Sequence, residues 1–271
     1  MPIFSTFNRL GLWTLYMKEV RRFFKVQTQT IWAPAMTTLL YLMIFTVAMG
    51  GSRNGGGGRE VLGVPFASFI APGLIVMGMV GNAFANTSFN FLAGKIQGTI
   101  VDYLMPPISN AELMIALIGA AVTRAVLVGL AISLAMLLWP GVSLGMAHPW
   151  AIVWFGLTGS TLLAIIGLIA SLWAEKFDHA AMVTNFVITP LTMLSGTFYV
   201  IHNLHPTFQA ISRINPFFYI ISGFRFGFLG QSDIGATNAA VMGGALYLGA
   251  LTLVMGWILY ALLKSGWKLK S

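Results

Sequence analysis

Fifty consecutive residues, 125 to 174, contain no Asp, Glu, Lys or Arg. Four further windows are equally free of charge: 27 residues between Lys25 and Arg53, 34 between Glu60 and Lys95, 34 between Asp178 and Arg213, and 30 between Asp233 and Lys264. A water-soluble chain covers its outside with charge, yet only 8% of these residues are charged, about a third of the soluble share. A hydrocarbon core about 30 Å thick takes roughly 20 apolar residues as a helix, so each window is long enough to cross one. The longest holds two crossings, divided at Trp139-Pro140-Gly141 and His148-Pro149, where the backbone favours a turn. Spans are predicted near 31–51, 66–92, 114–139, 149–173, 180–200 and 238–262. The fold expected is an all-α integral membrane protein, one domain over 1–271, with a six-helix bundle over 31–262. Soluble enzymes, secreted scaffolds and nucleic-acid modules are excluded at this level.

The basic residues orient the bundle. Arg9, Lys18, Arg21, Arg22 and Lys25 precede the first span, and Lys264, Lys268 and Lys270 follow the last. By the positive-inside bias both termini are expected in the cytoplasm, with 263–271 as a short tail. Lys95 and Lys176 then fall on inner loops, and Arg53, Arg59, Arg213 and Arg225 on outer segments. The start is not expected to be cut off as a leader. The net charge of +8 reads as basic ends against anionic lipid and not as a nucleic-acid surface.

Catalytic chemistry is thin. The absence of cysteine removes disulfides, iron–sulfur clusters and thiolate zinc sites. His148, His179, His202 and His205 form no metal-binding pattern, and no metal is expected. Seven carboxylates give no pair for acid–base work, and neither G-x-S-x-G nor a P-loop occurs. No catalytic residue is assigned, and the chain is not expected to hydrolyse ATP.

Several local patterns carry more information. Residues 1–30 read as an amphipathic interfacial helix: Phe4, Phe7, Leu10, Trp13, Met17, Val20 and Phe24 make one stripe, with most basic residues off it. Asn82, Asn86 and Asn90 recur every four residues and share a helix face, since four residues drift only ~40°. Asn185, Thr189 and Thr192 repeat the idea on the fifth span. Such stripes either hydrogen-bond helix to helix or line a route. Arg124 falls inside the third span at an insertion cost of ~2.5–3.5 kcal/mol, so a partner within the bundle is expected. In the inner loop, Pro106-Pro107 stops a short helix, and Ser109 with Glu112 makes a capping box for the next one. Residues 198–228 hold nine aromatics in 31 positions, cut by Pro206 and Pro216 into two pieces too short to cross. A re-entrant helical pair over 201–230, dipping from the outer side, is predicted.

The order of these parts, with Asp102-Tyr-Leu-Met-Pro-Pro-Ile-Ser109 inside and Asn215-Pro-Phe-Phe-Tyr-Ile-Ile-Ser-Gly-Phe-Arg-Phe-Gly-Phe-Leu-Gly230 before the last span, resembles the ABC-2 type permeases. The likeness is greatest to the YadH/NodJ-like branch of bacterial exporters, many of which have glutamate where Asp102 stands. The resemblance implies a homodimeric permease in the bacterial inner membrane, working with a separate ATPase subunit that binds ATP and Mg2+. No cofactor is implied for this chain. It implies a coupling loop over 95–112, with Lys95, Asp102, Tyr103, Leu104 and Pro106 meeting the ATPase. It favours the route reading for Asn82, Asn86, Asn90, Asn185, Thr189 and Thr192, because the first, second and fifth spans of relatives form the dimer interface. It implies an outer gate from Phe198, Tyr199, Phe217 and Phe218. The competing reading is an ion-coupled secondary transporter of small amphiphiles, which would normally need a carboxylate or histidine at mid-membrane.

Overall fold

The computed structural model describes residues 7–49, 60–139 and 141–268. Phe4, Arg53, Arg59, Pro140 and Lys270, used above, lie outside them, as does the side chain of Leu104. The elements in order are α1 (Arg9–Lys25), a π-helical turn (Thr28–Trp32), α2 (Ala33–Met49), β1 (Glu60–Val61), β2 (Val64–Pro65), α3 (Phe66–Ile96), α4 (Val101–Leu104), α5 (Asn110–Leu137) and α6 (Pro149–Trp173). After them come α7 (Phe177–Val183), a second π-helical turn (Thr184–Ile188), α8 (Thr189–Met193), a 3-10 turn (Ile201–Asn203), α9 (Pro206–Ile214), α10 (Pro216–Leu229) and α11 (Asn238–Ser265).

Among the described residues, five helical stretches are long and apolar enough to cross a membrane: Thr28–Ala48, Phe66–Ile96, Asn110–Leu137, Pro149–Trp173 and Asn238–Ser265. They fall on five of the six spans read from the charge-free windows. The remaining one, placed at 180–200, is a composite helix of α7, the π-turn and α8, and it ends at Met193. Pro190 explains its irregularity. Proline has no N–H and its ring clashes with the carbonyl four residues back, and a widened turn relieves both. The first π-turn stands in the same relation to Pro34. The chain also forms one small hairpin that the all-α expectation did not include. Glu60 faces Pro65 and Val61 faces Val64 across Leu62 and Gly63, both at positive φ as a two-residue hairpin turn requires.

α3 is the axis of the bundle. It is buried along most of its length, with α5 and α6 packed against it, while α2 and α11 keep wide apolar faces outward. Where no hydrophobic effect drives helices together, close backbone approach must do so, and small residues permit it. Gly167 of α6 lies against Thr87 and the Phe84 carbonyl of α3, where a Cβ would overlap both. Gly223 of α10 likewise takes the Phe155 ring of α6 into the space a side chain would fill. α10 runs antiparallel to α6, since Gly227 meets Ile152, Gly223 meets Phe155, and Ile220 meets Gly159. The division of 201–230 into two short helices is seen, with the break at Asn215-Pro216. Asn215 at that break is buried, and its Nδ2 donates to the Leu191 carbonyl at 2.6 Å, while Tyr247 Oη donates to the Ile214 carbonyl at 3.1 Å on the exposed side.

Candidate functional site

Three arrangements gather the polar side chains of this apolar protein. The first joins α1 to the loop between α3 and α5. Ser109 and Glu112 form the capping box read from the sequence: Ser109 Oγ accepts from the Glu112 amide at 3.3 Å, and Glu112 Oε2 accepts from the Ser109 amide at 2.6 Å. Glu112 does a second task, because its Oε1 accepts from the Asn8 amide just before α1. Asn8 Nδ2 donates to the Pro107 carbonyl at 3.1 Å. One turn of α4 meets α1 further along. Tyr103 Oη donates to Glu19 Oε1 at 2.8 Å, Arg22 pairs with the same carboxylate, and Lys18 Nζ stands 4.7 Å from the centre of the Tyr103 ring. Burial and the Glu19 charge together push the Tyr103 hydroxyl up to about 12, so it remains a donor.

This arrangement sorts the predicted coupling residues. Val101, Asp102, Met105 and Pro106 are exposed, whereas Tyr103 turns inward onto α1. Leu104 lies in α4. Lys95 does something the sequence did not show. Its ammonium donates to the carbonyls of Ser171, Leu172 and Ala174 at 3.2, 2.8 and 2.9 Å, capping the C-terminal end of α6. Those carbonyls have no intrahelical donor, and a lysine supplies three. Of the apolar stripe of α1, Phe7, Leu10, Trp13 and Phe24 are exposed and Met17 and Val20 half-buried, while Leu15, Glu19 and Phe23 form an opposite buried face.

The second arrangement runs along α3. Asn90 Nδ2 donates to Asn86 Oδ1 at 2.8 Å, so the four-residue spacing does place these amides on one face. Arg124 of α5 joins them, with Nη2 to Asn82 Oδ1 at 2.9 Å and Nη1 to Asn86 Oδ1 at 3.3 Å. Asn82 also borders a groove of about 390 Å³ between α2 and α3, whose other polar walls are Gln29, Thr37, Thr38 and Tyr41. Those four went unnoticed in the sequence because α2 was read only for apolarity. On the composite helix, Asn185 and Thr189 are exposed, and Thr192 is buried with its hydroxyl on the Thr189 carbonyl at 2.7 Å.

The third arrangement lies at the α10 end. Arg225, read above as an outer-segment charge, is wholly buried. Its guanidinium pairs with Asp233 at 2.9 Å, donates to the carbonyls of Phe69, Gly196 and Thr197 at 3.2, 2.8 and 3.2 Å, and lies 3.9 Å over the Phe69 ring. The second Asp233 oxygen accepts from the Ile201 amide at 3.2 Å. Four segments thus converge on one side chain. The single Arg of the stretch Asn215–Gly230 was the sequence signal for this. Of the residues expected at an outer gate, Phe217 and Phe218 are buried in the core, Phe198 stacks on Phe45 of α2 at 4.2 Å, and Tyr199 donates to the Met193 carbonyl at 3.0 Å.

Over residues 11–229 the chain matches the ABC-2 type transporter family. It belongs to that family. The matched range runs from Gly11 in α1 to Leu229, the last residue of α10, so it holds nearly all of the three arrangements. The chain is 35% identical over 226 residues to the inner membrane transport permease YadH of Escherichia coli K12, covering 83% of this chain and 85% of YadH. It is 25% identical over 230 residues to nodulation protein J of Rhizobium leguminosarum bv. viciae, covering 83% of each. This ABC-2 chain is therefore an all-α, multi-pass membrane protein of a transport family, which is not a class of enzymes.

Proposed function

We propose that this chain is the membrane-spanning permease subunit of an ATP-binding cassette exporter in a bacterial inner membrane. Two copies pair, and each engages a separate ATPase subunit that binds ATP and Mg2+. The cargo is an amphipathic molecule: drug-like, lipid-linked or a glycan. The observation that carries this reading is the exposed knob of α4, with Val101, Asp102, Met105 and Pro106 outward, fastened from behind to α1 and α5 by Tyr103–Glu19 and by Glu112–Asn8. A four-residue helix cannot transmit force unless it is braced, and these contacts brace it. Movement of an ATPase against the knob then reaches α5 and, through α1, the start of α2.

The composite helix Phe177–Met193 supplies the sixth crossing at 17 helical residues, the lower limit of a span, and so both termini lie in the cytoplasm. α9 and α10 form the re-entrant pair, with the buried Asn215 at their junction as the supporting feature. The exposed faces of α2 and of Phe177–Met193, the latter carrying Asn185 and Thr189, meet their counterparts in the second copy. The route runs there beside the groove at Asn82, and Phe198 and Tyr199 stand at its outer end. YadH is named a transport permease, and family membership weighs against the ion-coupled alternative. The test is copurification. The tagged chain, extracted from its own membrane, is expected to bring down a soluble P-loop ATPase, and Asp102→Lys or Pro106→Ala is expected to reduce that yield and the stimulated ATPase activity. Undiminished yield and activity in both variants would remove the coupling role.

A further inference from the structure

Arg124 stands half-way along α5, about 21 Å from its inner end. A guanidinium at that depth is costly and is normally matched by a carboxylate. Among the described residues no carboxylate pairs with Arg124. Its hydrogen-bond partners are two neutral carboxamides, Asn82 and Asn86, and its Nε is buried with no partner. The contrast with Arg225 shows that this fold can saturate a buried guanidinium when saturation is what the site needs.

The missing negative charge has a way in. Asn82 borders both the guanidinium and the groove of about 390 Å³ between α2 and α3. Gly78 and Gly81 form the groove floor, and a Cβ added at Gly81 would meet nothing within 4 Å. Gln29 and Tyr41 offer neutral donors around it. Beyond them α2 presents exposed Leu40, Ile44 and Val47, a surface for an alkyl chain and not for a hydrated ion. We propose that Arg124 with Asn82 is the anion-recognition point of the transport route, and that the cargo is an amphiphile whose head group is an anion of the phosphate or carboxylate type. The inference rests on the reading that the α2/α3 groove belongs to the route. The anion completes the charge that the bundle leaves open, and a charge-assisted pair in a low-dielectric site selects it over neutral amphiphiles.

The full-length chain in dodecyl maltoside, without any ATPase, is titrated with dodecyl phosphate while its thermal unfolding is followed. Saturable stabilisation is expected, unmatched by inorganic phosphate or by dodecylphosphocholine at equal concentration. Arg124→Gln is expected to weaken the apparent affinity by about tenfold or more, and Arg124→Lys by less. Should Arg124→Gln not fold, Asn82→Asp decides. It places a carboxylate on the guanidinium, so it should raise the midpoint of the free chain and remove the response to dodecyl phosphate. Equal stabilisation by inorganic phosphate, equal stabilisation by dodecylphosphocholine, or an undiminished response in Arg124→Gln or Asn82→Asp overturns the proposal. Because no ATPase is present, failure here leaves copurification untouched, and failed copurification leaves this titration untouched.

Discussion

Arg225 and Arg124 are both arginines inside an apolar bundle, and they are treated in opposite ways. Arg225 has a carboxylate, three backbone carbonyls and an aromatic face, and no water reaches it. Arg124 has two amides, an unpartnered Nε and a groove one residue away. A saturated buried charge behaves as a fastener, because every group that it touches would be left unpaired by its loss. An unsaturated one keeps capacity in reserve. The difference separates the α10 end, where four segments are pinned together, from the middle of α3, where a ligand can still bond.

The contrast breaks most directly at Arg225. Arg225→Ala leaves Asp233 buried and unpaired and strands the carbonyls of Gly196 and Thr197, so a loss of about 3–5 kcal/mol is expected, read as a lower unfolding midpoint in detergent. An unchanged midpoint would mean that the clamp holds nothing. Tyr103→Phe is the intermediate case. It removes one hydrogen bond to a buried carboxylate that Arg22 still pairs, an expected cost of about 1.5–3 kcal/mol, and stimulated ATPase activity should fall more than stability does. A fall in stability alone would make the α1–α4 tie a scaffold and not a transmission element. Arg124→Gln should shift the midpoint by less than about 1 kcal/mol in either direction, because it removes an uncompensated charge whose amide partners can bond each other. A drop as large as that of Arg225→Ala would erase the distinction drawn here. A separate test lies in pH. With the Tyr103 hydroxyl raised to about 12 from its ordinary 10.0, the folded chain holds that proton more tightly than the unfolded chain. Its contribution is complete below pH 10 and lost as pH rises toward 12. Tyrosinate absorbance in that upper range should be smaller in Tyr103→Phe by one group.

Much of the architecture was legible because it depends on periodic or local chemistry. Charge-free windows locate five long helices to within a few residues, since hydrocarbon tolerates no other backbone arrangement of that length outside a closed barrel. Pro206 and Pro216 mark the starts of α9 and α10, and Ser109 with Glu112 marks that of α5, because a proline or a cap acts within one turn. The stretch at 180–200 was legible only in outline, because hydropathy is blind to Pro190 and to the turn at Leu194–Gly196. The site was legible only in halves. The spacing of Asn82, Asn86 and Asn90 places them on one face, and Arg124 had to meet some partner. That the partner would be those same amides depends on the rotation of α5 against α3, which no spacing along one helix encodes.

Length, apolarity, caps and proline breaks are properties of the chain read a turn at a time, so the sequence by itself determined the class of protein, its helices and the family it resembles. Which charge meets which partner is decided by side chains 42 residues apart for Arg124 and Asn82, or 84 apart for Tyr103 and Glu19. Only the packing of one helix on another brings such residues within 3 Å. The buried anchorage of Arg225, the brace at Lys95 and the open valence of Arg124 are therefore tertiary facts. A charge in a low-dielectric interior takes its meaning from what surrounds it in space.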